Sequence, residues 1–157
     1  MVVKMKKNNI IILLVIILIA LAMLVAGVFI NNKENEPIIY NNTIEGVGTF
    51  NTTNVTNFTL SESESSYQTI YLANDSIAQV STITSSLMVE TTISEADRVN
   101  DSAEGHTIYK GTANMGEYKG EVRYFSILKD NEKDRYIDIC TGDYNLTCMI
   151  VDSFKFF

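Results

Sequence analysis

Ile10 to Ile30 is an unbroken run of 21 residues without a charged or polar side chain, Gly27 being its one small interruption. As a helix it reaches about 31 Å, the thickness of a bilayer's hydrocarbon core, so the pattern predicts a transmembrane helix over 10–30. A cleaved signal peptide has a shorter apolar stretch and a small-x-small cleavage site, whereas Leu24-Val25-Ala26 places a bulky Leu there. An uncleaved anchor is therefore expected. Lys4, Lys6 and Lys7 precede the run and Glu34 and Glu36 follow it, an asymmetry that keeps residues 1–9 in the cytoplasm and places the rest outside. Ala22 and Ala26 form a small-xxx-small pair through which two such helices would associate weakly.

Beyond a polar linker, 31–43, which contains the only proline, Pro37, the apolar period changes from helical to alternating. Thr43 to Leu60 is rich in Thr, Val and Phe and reads as extended chain. Ser61 to Ser66 has no apolar residue and reads as a solvated loop. Gln68–Ala73 and Ser76–Ile83 form two β-rich runs around Asn74-Asp75, a hairpin signature. Ser94 is suited to cap a short helix over Glu95–Asn100. Thr107–Ala113, Glu121–Lys129 and Arg135–Cys140 read as three further strands, the second apolar on both faces and hence central. Asp143 is placed to cap a closing helix with Leu146, Met149, Ile150, Phe154 and Phe157 on one face. The expected class is α+β: the transmembrane helix, then an external domain over 44–157 with an antiparallel sheet of five or six strands and a C-terminal helix packed on it.

The closing segments Arg135-Tyr-Ile-Asp-Ile-Cys, Thr141-Gly-Asp-Tyr-Asn-Leu and Ile150-Val-Asp-Ser-Phe-Lys-Phe resemble the last strand and C-terminal helix of small PsbP-like α+β domains. They are similar also to the ends of anchored envelope proteins of methanogenic archaea. The resemblance covers about the last fifty residues. It implies an antiparallel sheet flanked by helices and an accessory, non-enzymatic role, and it assigns no functional residue. The basic leader, long apolar run and β-rich distal part are similar as well to type IV pilin-like subunits. That family has a glutamate early in the helix, where this chain continues apolar after Asn9.

Charge narrows the partners. Beyond residue 30 there are 9 basic and 19 acidic residues, a net charge of -10, which excludes a basic nucleic-acid binder. Chemistry is sparse. With His106 as the only histidine, no histidine dyad forms within a monomer. Gly46-Val47-Gly48 lacks the third glycine of a dinucleotide loop, and Glu117 stands where a phosphate loop between Gly111 and Gly116 needs lysine. Asp130, Glu132 and Asp134 alternate like calcium ligands, but Lys133 and Arg135 among them point to a solvated turn. Neither a catalytic residue, a cofactor nor a metal is expected.

Seven glycosylation sequons begin at Asn41, Asn51, Asn54, Asn57, Asn74, Asn100 and Asn145, against about three expected by chance from this composition, an excess that points to attached glycans. Cys140 and Cys148 both fall outside, where an even count predicts a disulfide. Together these features describe a membrane-anchored, extracytoplasmic binding or structural module of the cell envelope, with an envelope protein or glycan as partner. A surface hydrolase using carboxylates or serine and a pilin-like filament subunit are the alternatives.

Overall fold

The computed structural model describes residues 17–19, 21, 23, 37–53, 56–61, 66–74, 78–113 and 118–157. The chain divides into two units, Met1–Ile38 and Ile39–Phe157. Of the apolar run, Ile17–Ile19, Leu21 and Met23 are helical and exposed. Among the described residues no helix is long and apolar enough to cross a membrane. Lys4, Lys6, Lys7, Ala22 and Ala26 lie outside them.

The second unit is mostly β, and the expected single sheet of five or six strands is replaced, among the described residues, by two antiparallel sheets with ten strands. Strands β1 (Tyr40–Ile44), β2 (Gly48–Thr52) and β10 (Lys155–Phe156) form the smaller, in the order β1-β2-β10. The larger contains β3 (Phe58–Ser61), β4 (Gln68–Ala73), β5 (Ala78–Ile83), β6 (Asp97–Arg98), β7 (Tyr109–Thr112), β8 (Val122–Asp130) and β9 (Arg135–Thr141). Its order is β3-β4-β5-β9-β8-β7-β6. The stretch read as one extended segment, Thr43 to Leu60, holds the end of β1, all of β2 and most of β3, because Gly46 adopts φ 73° and turns β1 back onto β2. A last strand also follows the closing helix, where the sequence reading ended on the helix itself.

Helix α1 (Ser86–Ser94) begins at Ser85, whose hydroxyl accepts from the Met88 amide at 3.3 Å. The helix expected over Glu95–Asn100 is absent; Ser94 ends α1, and Asp97–Arg98 pair with β7. The β-branched Val89, Thr91 and Thr92 disguise α1 in the sequence, and the two threonines bond back to the carbonyls of Leu87 and Met88, both at 2.9 Å. Helix α2 (Tyr144–Ser153) forms where expected, the Asp143 carboxylate accepting from the Leu146 amide at 2.8 Å.

One core joins these elements. Helix α2 contacts β2 of the small sheet as well as β8 and β9 of the large one, and it buries Thr147, Ile150 and Val151. Around it lie Ile44, Val47 and Phe50 from the small sheet and Val80, Ile137 and Ile139 from the large one. Each such side chain contributes roughly 1.5–3 kcal/mol when fully buried. The expected apolar face is thus shifted: Phe154 follows the helix and stacks on Phe50 at 5.8 Å, while Phe157 is exposed. Gly48 admits β10 to β2, since a Cβ there would sit 2.5 Å from the Lys155 carbonyl oxygen. On the far side, Arg135 at the start of β9 donates to Asp130 and to the Gly46 carbonyl, each at 2.9 Å, and so fastens the β8–β9 hairpin to the β1–β2 turn.

Candidate functional site: a polar cavity on the open face of the large sheet

Alternation along β9 decides which groups share a face. Ile137, Ile139 and Thr141 turn toward α2, the Thr141 and Thr147 hydroxyls meeting at 2.8 Å. Asp138 and Cys140 therefore turn to the other face. There the register sets Phe125 of β8 opposite Cys140, and Gly111 of β7 opposite Arg123. Over this face passes the C-terminal end of α1 with Thr92, Glu95 and Ala96, enclosing a cavity of about 320 Å³ with Arg123 and Asp138 in its wall.

Arg123 is nearly buried, its side chain 7% exposed, and its guanidinium carbon lies 3.9 Å from the centre of the Tyr118 ring. That stacking supports a desolvated cation. Its Nη1 faces exposed Glu121 at 3.5 Å, the one carboxylate within ion-pair distance of it among the described residues. The Nε and Nη2 groups, the side-on edge of the fork, are shielded from bulk water and have no hydrogen-bond partner. Asp138 is in the matching state: its Oδ1 is buried without a donor, and burial pushes the carboxyl up to about 7. Such orphaned groups cost roughly 1–3 kcal/mol each, so a structure that holds several around one cavity is arranged for something other than stability.

Cys140 lies between these two charges on the cavity floor. Burial and the Asp138 carboxylate raise its pKa to about 11, against a side-chain hydrogen bond from Arg123 and the charge of that guanidinium. At neutral pH it is a thiol, poorly suited to act as nucleophile or metal ligand. Cys148 lies on the opposite side of the sheet, in α2, packed against the core. Both cysteines are free. The two thiols expected to pair are unbridged here and lie on opposite faces: odd and even positions of β9 face opposite ways, which sets Cys140 away from the helix.

The sequons disperse over the surface. Asn41, Asn57, Asn74, Asn100 and Asn145 are exposed, Asn51 is half-buried in β2, and Asn54 lies outside the described residues. Their hydroxyl partners differ more: Thr43 and Thr59 are exposed, whereas Thr147 is fully buried and Ser102, 9% exposed, donates to Asp152. The Asp130 carboxylate, read as a possible calcium ligand, accepts instead from the Glu132 and Lys133 amides and from Arg135. No group of three or more His, Cys, Asp or Glu suited to a metal ion occurs among the described residues.

Sequence reading missed Arg123 and Asp138. The available signal was a charge on each of two strands whose neighbours on both faces are apolar or aromatic: Arg123 within Val122–Leu128, and Asp138 between Ile137 and Ile139. Comparison with known proteins assigns the chain to no group: no family model matches it, and no curated protein or solved structure is significantly similar.

Proposed function

We propose that this chain is a non-catalytic binding module held at the membrane and displayed outside the cell, and that the cavity on the open face of its large sheet receives a small ligand. The carrying observation is the desolvated, unpartnered edge of Arg123 in a cavity that also holds an unpartnered carboxylate oxygen of Asp138. Membrane attachment is supported by the charge-free run from Ile10 to Ile30, and exposure to the outside by the lysines that precede it. The cavity lies at the small end of ligand sites, which span about 300–1,000 Å³.

The test is ligand-dependent thermal stability of the full chain in detergent, followed by circular dichroism against sugars, organic acids, amino acids and short peptides. A class of compound that raises the melting temperature, and fails to do so in a cavity-filled Ala96→Phe variant, supports the reading. Absence of any shift across all four classes overturns it. Protease applied to intact cells checks the placement: loss of the domain from a membrane-embedded stub is expected, and full protection contradicts an external location.

A further inference from the structure

We propose that the cavity binds a small zwitterion, a free α-amino acid, with its carboxylate on the Nε/Nη2 edge of Arg123 and its ammonium on Asp138. The inference rests on the cavity being a binding site and names its ligand class.

The guanidinium edge comes first. Nε–H and Nη2–H are parallel donors spaced to meet the two oxygens of a carboxylate, and both are unused and dry. Tyr118 holds the plane of the fork from one side, so the donors arrive pre-oriented. At the other pole, Asp138 offers its Oδ1 as an acceptor, and no group among the described residues answers it. The two are not within ion-pair distance of each other, and Cys140, which senses both charges, sits between them. A ligand that carries both charges, and that reaches from one group to the other within the cavity, satisfies both poles at once. Beside them, Ile70, Phe125 and Ala96 leave an apolar part of the wall for a side chain.

Whole-molecule charge selects against the competing chemistries. The region beyond residue 30 carries -10, which opposes the approach of a phosphate or a dicarboxylate, whereas a zwitterion has no net charge to repel. An inorganic anion also brings no donor for Asp138. A sugar brings hydroxyl donors and acceptors but no charge for Arg123.

Protonation gives a second readout. Since burial holds the Asp138 carboxyl near pH 7, it is partly protonated in the empty cavity, and an ammonium docking on it expels that proton. The groups facing Asp138 are Arg123 on β8, Cys140 on β9 and Glu95 on α1, with neutral Gln68 and Gln79 from β4 and β5 and the Tyr118 ring near Arg123. Cys140 stays a thiol throughout, so the proton released is assigned to Asp138, and the Asp138→Asn variant, which should release none, checks the assignment.

The experiment is isothermal titration of the full chain in detergent with each of the twenty free amino acids at pH 7.5, repeated in two buffers of different ionisation enthalpy. N-acetyl derivatives, which keep the carboxylate and lose the ammonium, and amino-acid amides, which do the reverse, serve as probes of each pole. The expected result is saturable binding of one or more amino acids with proton release. N-acetyl and amide forms, and the Arg123→Lys and Asp138→Asn variants, should each bind about 10–100-fold more weakly. Affinity should fall by up to about tenfold per pH unit below 7 in the native chain and not in Asp138→Asn. Binding of sugars or simple carboxylates without binding of amino acids overturns the zwitterion while leaving the binding module standing. Equal binding of the amide or N-acetyl forms also overturns it. If no compound binds to folded protein, the inference and the proposed function fall together.

Discussion

Asp138 and Asp130 are both buried carboxyls, yet they move in opposite directions with pH. Asp138 titrates near 3.8 when unfolded and near 7 when folded, so the folded state holds the extra proton between those values. Its stability therefore declines as pH rises from about 4 to 7, by roughly 4 kcal/mol in all, and the deficit is complete above 7. Asp138→Asn should raise the melting temperature at pH 8 and flatten its dependence between pH 5 and 8 in thermal melts. An unchanged profile would show that the carboxyl is not desolvated. For Asp130, burial pushes the carboxyl up, but the Arg135 guanidinium and the Lys133 and Glu132 amides outweigh it and hold the pKa below its ordinary value. Its contribution is present above that ordinary value and is lost as pH falls through the lowered one. Arg135→Ala strands Asp130, whose side chain is 3% exposed, and leaves the Gly46 carbonyl without this partner. A loss of about 3–5 kcal/mol is expected in urea unfolding, and a loss under 1 kcal/mol would rule out the clasp.

Among the elements, those with one dominant signal were legible and those with competing signals were not. β4 appears at the expected residues and α2 begins at its Asp143 cap, because alternation and capping each point one way there. Four of the six residues Met88–Ile93 are β-branched, so propensity argues against the helix that forms there; the sequence suggests Ser94 as a cap, whereas Ser85 supplies it and Ser94 ends the helix. Ser85→Ala should cost about 1 kcal/mol and Ser94→Ala only a few tenths, measured side by side in denaturant melts; the reverse ranking would relocate the helix. The cavity was hidden for a related reason. Arg123 and Asp138 lie far apart in sequence, and only the β8–β9 register, with Ile127 opposite Asp138, brings their faces together.

Across the whole molecule, what could not be read was which strands become neighbours. β5 lies beside β9, with Val80 opposite Ile139, although β6, β7 and β8 intervene in the chain. The cysteines lie on opposite faces of β9, so native protein, unfolded without reductant, should take up two equivalents of alkylating reagent, and a mass showing none would establish the bridge. The fold also ranks the sequons, since a modifying enzyme acting on folded chain must reach the hydroxyl as well as the amide. Asn41 and Asn57 should carry glycan ahead of Asn100 and Asn145, whose Ser102 and Thr147 are buried, as read by site-resolved mass spectrometry of native protein. Full occupancy at Asn145 would place modification before folding.

The pairing of β10 with β2 has a consequence in time. Lys155 and Phe156 lie opposite Thr49 and Gly48, so one flank of β2 is completed by residues made about a hundred positions later in the chain. Until they arrive, β2 offers the peptide groups of that flank to any extended chain nearby, a standing invitation to mispair during synthesis and export. The same separation makes the closure slow, because a loop of about a hundred residues must first be drawn together. Maturation of this domain is in that sense gated by the arrival of β10, and whatever protects the nascent chain must do so until that strand has docked.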